Sequence, residues 1–169
     1  IKMLDAVESA IQGSEISNNA HRLLAGIANS RKPHIAAIDG VCLGAGYELA
    51  LACHYRIASD NRATKIGLPE VMIGILPGGM GSTKLPRLIN LPAALDMLLS
   101  GRQLNGKRAK RLGMVDEVIS TKILLPAAHK AAIRLLKKGL PERKLDLKDK
   151  LLTLPFIKDF IINGARQQV

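Results

Sequence analysis

Short apolar runs alternate along this chain with stretches of helical spacing, and Gly or Pro marks most of the changes. In "EISNNAHRLLAGIAN", Glu15 to Asn29, Ile16, Leu23, Leu24 and Ile27 recur on one helical face, and "RKP" ends the helix. "HIAAIDG" predicts a short buried strand closed by Gly40. "VCL" continues extended, "GAG" turns, and "YELALAC" is helical. "YRIASD" and "TKIGLPE" predict two further strands, the second ended by Pro69. "VMIGILPGGMGS" predicts a Gly-rich loop leading to a helix near Thr83–Ile89. "LPAALDMLLSG" is a helix with a Gly stop, and "NGKRAKRLG" a short helix with Asn105 as N-cap and Gly113 as stop. "MVDEVI" predicts a strand. "LLPAAHKAAIRLLKKG" is an amphipathic helix with lysines at its C-terminal end, where the helix dipole favours them. One or two more helices are expected between "LPERKLDL" and Val169. Strands alternating with helices indicate an α/β architecture.

Two carboxylates interrupt this pattern. Glu48 stands between Tyr47 and Leu49 with Ala50, Leu51 and Ala52 behind it, and Glu70 stands alone in "IGLPEVMIGILPGG". Either could be an exposed residue on a polar face or loop. The alternative is a pair held in a partly dry pocket, where two carboxylates can divide acid and base work on one substrate. A third feature, "LGAG", stands just before Glu48. Its N–H groups point forward at a helix start, which makes an anion site, a donor for an oxygen that gains charge, or an ordinary tight turn.

Composition narrows the classes. The chain's 169 residues suffice for one domain with a core, and at 47% hydrophobic it is not a disordered tail. The net charge of +11 favours a polyanionic partner, a phosphate-bearing molecule or simply a solvated basic surface. With aromatics at 2% there is little to stack bases on, and no helix-turn-helix or zinc-finger pattern occurs, so nucleic acid is not expected. The basic run Lys107, Arg108, Lys110 and Arg111 reads as a solvated helix face or a phosphate contact, as do Lys137–Lys138 and Arg143–Lys144. Cys42 and Cys53 each lie in an apolar run and read as buried thiols of a cytoplasmic protein. The longest uncharged run, Val71 to Thr83, is too short and too broken by Gly and Pro for a transmembrane segment. The four histidines, at 21, 34, 54 and 129, lack metal-ligand spacing.

Competing motifs fit less well. Gly44-x-Gly46 after a strand suggests a dinucleotide turn, with Glu70 about 20 residues on, but Leu49 occupies the third Gly position. "GGMGSTK" is no P-loop, because Lys84 follows Ser82 and Thr83. Cys53–His54 has no further partner that would suggest a thiol protease.

Three stretches, "IAAIDGVCLGAGYELALACHYRIASD", "IGLPEVMIGILPGGMGSTKLPRLI" and "SGRQLNGKRAKRLGMVDEVI", resemble in order the enoyl-CoA hydratase/isomerase (crotonase) family. The likeness is densest over residues 35–119 and closest to the multifunctional members that also carry a 3-hydroxyacyl-CoA dehydrogenase part. It implies a crotonase-like superhelix of ββα turns over residues 1–120, truncated at its N-terminus. Residues 121–169 would then be a C-terminal helical region leading towards the dehydrogenase.

The resemblance also implies roles. Glu48 and Glu70 match the family's two catalytic glutamates, and both together imply hydration of a trans-2-enoyl-CoA, with isomerisation also open. Ala45 matches a backbone oxyanion donor, although the family usually has Gly there. Its N–H survives provided Ala45 avoids positive φ. Gly44 and Gly46 would admit substrate, and Tyr47, Leu68 and Pro69 would help wall the pocket. No cofactor is implied for this part beyond the coenzyme A thioester as substrate; NAD would serve the dehydrogenase part. A thiolase subunit and a homo-oligomer are the implied partners in the parent.

Both ends look cut: Ile1 opens the chain and no stop follows the last helical pattern. The family's second oxyanion donor would precede Ile1, so the chain by itself is expected to be inactive or nearly so, loss of one donor costing about 10²–10³ in rate. Two other readings stand beside this one, a nicotinamide-dependent dehydrogenase read from "GAG" and a non-catalytic assembly piece of a larger complex.

Overall fold

The structure is a computed structural model that describes residues 9–141, 152 and 154–166. Parallel strands joined by helices form two small sheets. Strands β1 (Ile35–Ile38), β3 (Tyr55–Ser59) and β5 (Glu117–Ile119) make one sheet in the order β1-β3-β5. Strands β2 (Val41–Leu43) and β4 (Lys65–Gly67) make the other. All three strand pairings are parallel, with Ile35 opposite Tyr55, Ile57 opposite Glu117 and Cys42 opposite Ile66. Parallel pairs need crossovers, and the helices supply them. Helix α2 (Ala45–Ala52) links β2 to β3; α3 (Gly81–Leu88), α4 (Leu91–Ser100) and α5 (Gly106–Leu112) lie between β4 and β5.

The expected elements are present, with shifted ends. Helix α1 covers Ala10–Ala28 and so begins well before Glu15, because the Ser9 side chain accepts a hydrogen bond from the Gln12 N–H and caps it. Helix α2 begins at Ala45, inside "GAG", because Gly44 takes φ 55° and leaves the next residue free to be helical. The Gly-rich loop contains a 3₁₀ turn, Glu70–Ile73, closed by left-handed Gly74, and α3 starts at Gly81. Strand β5 keeps only the last half of "MVDEVI"; Met114 and Val115 are buried in the core just before it. Asn105 and Gly113 cap α5 as the sequence predicts. Helix α6 (Leu124–Lys138) follows a short 3₁₀ turn and packs against β1 and β3, and α7 (Pro155–Arg166) lies against α4. Arg143–Lys144 and part of the predicted C-terminal helical region lie outside the described residues.

The main core joins the two sheets through Tyr47, Leu51, Ile66, Leu68, Leu85 and Met97. A buried arginine holds its edge. Arg56 on β3 donates to the carbonyls of Ala50 and Cys53 at 3.1 and 2.8 Å, so it satisfies the C-terminal end of α2, and it pairs with Asp116 at 3.4 Å. The Tyr47 hydroxyl donates to the Met114 carbonyl at 3.0 Å and ties α2 to the approach to β5. Both cysteines are free and half-buried, not fully buried as expected, and burial pushes the Cys42 thiol up to about 11. Lys107, Arg108, Lys110 and Arg111 are all exposed on α5. No helix among the described residues is long and apolar enough to cross a membrane.

Candidate active site

The two isolated glutamates approach one another at the start of α2. Glu48 lies in the first turn of the helix and is 4% exposed, so the surface alternative for this residue does not hold. A buried carboxylate needs hydrogen-bond donors. The chain supplies one from the loop before α3: the Gly81 N–H donates to Glu48 Oε1 at 2.8 Å. Gly79 of the same loop lies so close that an added Cβ would overlap Glu48 Oε2 and stand 2.9 Å from its Cδ. A Cβ on Gly81 would sit 3.0 Å from Glu48 Oε1 and 2.9 Å from a Leu68 methyl. A side chain at either position would displace the carboxylate or its neighbours. Between them, Met80 takes φ 83°, in the left-handed region, and caps α3.

Glu70 opens the 3₁₀ turn after Pro69 and is half-buried. Its Oε1 faces Gly44, where a Cβ would come within 3.1 Å. Its Oε2 is buried with no hydrogen-bond partner in the structure. Burial raises the Glu70 carboxyl above the usual carboxylate range. Its own backbone N–H works against that shift, and the Glu48 charge adds to it. Glu70 therefore holds its proton to higher pH than an ordinary glutamate, and it does so with one oxygen unsatisfied.

Ala45 is the first residue of α2 and is exposed. Among the described residues Met80 alone, apart from glycines, has positive φ, so Ala45 keeps an ordinary backbone conformation. The N–H of a first helical residue has no partner within its own helix. Next to it, Gly46 is exposed, and a Cβ there would meet nothing within 4 Å. The structure thus brings Gly44, Ala45, Glu48, Leu68 and Glu70 together around one helix start. Pro69 caps the 3₁₀ turn that carries Glu70. Tyr47 is different: it is wholly buried, a core residue anchored to Met114.

A third element reaches this site from a distance. His21 of α1 donates from Nε2 to the Gly78 carbonyl, which lies in the loop that carries Gly79 and Gly81. Sequence reasoning passed over all three residues. Glycines 79 and 81 read only as part of a Gly-rich loop, with nothing to say what approaches them. Nothing local to His21 pointed at a loop 57 residues away.

The turn does not suit a dinucleotide. A pyrophosphate at Gly44 would meet the Glu70 carboxylate, and Leu49 takes the place of the glycine that close helix packing requires. Among the described residues no group of three or more His, Cys, Asp or Glu could hold a metal ion.

Two carboxyl groups thus stand at the start of α2 with the Ala45 N–H, which has no partner within its own helix, beside them. The chain belongs to the enoyl-CoA hydratase/isomerase family, whose model matches residues 3–151. It is 42% identical over 173 residues to the fatty acid oxidation complex subunit alpha of Shewanella frigidimarina, which covers 100% of this chain and 24% of that protein. It is 41% identical over 152 residues to the subunit alpha of Vibrio cholerae, covering 90% of this chain and 22% of that one. The chain therefore spans about a quarter of these relatives' length, 24% in the first case. Among solved structures, the enoyl-CoA hydratase subunit I of Geobacillus kaustophilus superposes with a TM-score of 0.71 at 30% identity, over 98% of this chain and 59% of that one. The enoyl-CoA hydratase of Bacillus anthracis gives 0.70 at 27% identity, over 97% and 64%.

Proposed function

We propose that this chain carries the hydratase site of a larger protein of fatty acid β-oxidation, which adds water to a trans-2-enoyl-CoA to give a 3-hydroxyacyl-CoA. The observation that supports this most is the unequal pair of carboxylates. Glu48 is fixed by the Gly81 N–H and a glycine cradle, while Glu70 has a raised pKa and a buried oxygen with no partner. Two carboxyls in such unlike environments can divide acid and base work on one substrate. In the proposed reaction both carboxylates hold the water. Glu48 takes its proton as the water oxygen bonds to C3, and Glu70 gives its proton to C2. The C2=C3 double bond becomes single, one water is consumed, and the proton gained by Glu48 returns to Glu70 before the next turnover.

The thioester oxygen gains negative charge as C3 is attacked. The Ala45 N–H, exposed at the positive end of α2, is the donor this chain offers it. Gly46 leaves open space beside that donor for the acyl group. Moving a proton between acyl carbons through Glu70 would also give double-bond isomerisation. A thiolase subunit, an NAD-dependent dehydrogenase part and a homo-oligomer, implied by the family resemblance, belong to the same proposal at the level of the whole protein; the relatives are subunits of a fatty acid oxidation complex. The test is the full-length gene product with crotonyl-CoA, followed by loss of the enoyl thioester absorbance and by identification of 3-hydroxybutyryl-CoA. Absence of turnover by folded protein rejects the proposal.

A further inference from the structure

A second concavity, about 280 Å³, lies at the opposite end of α2 from Ala45. Its chemistry comes from Cys53 and His54 after the helix, Arg56 on β3, and Lys84 and Arg87 on α3. Among the described residues no carboxylate lines it. Lys84 and Arg87 are three residues apart on one helix and so share a face. Arg56 is occupied by Asp116 and the last carbonyls of α2. Lys84 and Arg87 have no such compensation. Among the described residues neither side chain makes a hydrogen bond or an ion pair.

Among the described residues no counter-charge faces the half-buried Lys84 ammonium or the Arg87 guanidinium at the rim of the pocket, an arrangement that an anion joining them would stabilise. The ammonium of Lys84 carries the sign of that strain: burial lowers its pKa most, Arg56 lowers it further, Cys53 opposes the shift, and Arg87 adds the least to it. The guanidinium of Arg87 offers a planar fork suited to an oxyanion, and Lys84 a point charge one helical turn away.

We propose that this pocket is a binding site for a phosphate-type oxyanion, held by Lys84 and Arg87 with the Arg56–Asp116 pair as its fixed wall. It lies apart from Glu48 and Glu70 but touches both elements that position Glu48, the end of α2 and the body of α3. The anion comes either free from solution or as a phosphate of a coenzyme A ester.

The test is a thermal melt of the full-length gene product in inorganic phosphate, against chloride at matched ionic strength. The proposal expects a saturable rise of the midpoint with phosphate, and at least a tenfold weaker phosphate dependence in Lys84→Met and in Arg87→Gln. Lys84→Met is expected to be no less stable than the parent without phosphate, since it removes an uncompensated charge. If that variant does not fold, Arg87→Gln, exposed at the rim, carries the test alone. A midpoint that responds equally to phosphate and chloride, or equally in parent and variants, overturns the site. Steady-state kinetics separate the sources. A competitive rise of the KM for crotonyl-CoA with phosphate, absent in Arg87→Gln, assigns the site to a phosphate of the ester. An unchanged KM alongside the phosphate-dependent melt assigns it to a free oxyanion.

Discussion

The Gly81 N–H and Glu48 Oε1 are joined by a 2.8 Å hydrogen bond across 33 residues of sequence. That bond fixes a buried carboxylate from outside its own helix, and Gly79 closes the other side of it. Gly79→Ala therefore tests the cradle without touching either glutamate. Gly79 does not need a left-handed backbone, so the change acts through its methyl, which must displace Glu48. Misplacing a catalytic group by about 1 Å costs on the order of 10²-fold in rate. The expected outcome is a drop of that order in kcat with a denaturation midpoint close to the parent's.

Glu70 senses Glu48 through charge. Burial is the larger cause of its raised pKa and Glu48 a further one. Removing the charge in Glu48→Gln should lower the Glu70 pKa without returning it to the ordinary value. A carbon-13 titration of the Glu70 carboxyl reads this directly. The sign follows for activity in the parent. The proposed acid is protonated below its pKa, so hydration is expected to fall as pH rises through the elevated Glu70 value. A Glu70 titration unchanged or raised in Glu48→Gln would contradict the pairing.

His21 acts, in this account, on the same loop from the other side. Its hydrogen bond to the Gly78 carbonyl braces the segment that supplies the Gly81 donor. His21→Ala is expected to lower kcat several-fold with KM little changed, and His21→Gln, which can still donate, to recover part of the loss. A purely structural role would lower the melting midpoint in both and split kcat from KM in neither.

Tyr47 separates stability from chemistry. Tyr47→Phe leaves the buried Met114 carbonyl without its hydroxyl donor, which costs about 1–3 kcal/mol. Denaturant unfolding should show that loss while kcat stays within about twofold, as expected of a core residue. A large fall in kcat with intact stability would instead put Tyr47 at the substrate.

Much of this site is legible in the chain itself. Single carboxylates inside apolar runs are rare enough to draw attention to Glu48 and Glu70, and the Gly44 turn announces the start of the helix that carries Glu48. Relations across sequence distance are not legible. "GGMGS" reads only as a loop until α3 docks on α2 and turns Gly79 and Gly81 towards Glu48. Arg56 in "YRIASD" looks like the polar side of a half-exposed strand. Its burial depends on Asp116, 60 residues on, and on the carbonyls at the end of α2. Helix α1 shows the opposite failure. Its periodicity is clear, but none of its side chains is fully buried, and the cap that extends it back to Ala10 lies outside the apolar pattern.

The most direct measurement of the central claim is Glu70→Gln in the full-length protein, with crotonyl-CoA binding at equilibrium and single-turnover hydration read on the same preparation. The account predicts binding within about threefold of the parent and turnover lower by about 10²–10⁴, the range for loss of a positioned proton donor. Hydration at an undiminished rate by folded Glu70→Gln would contradict it.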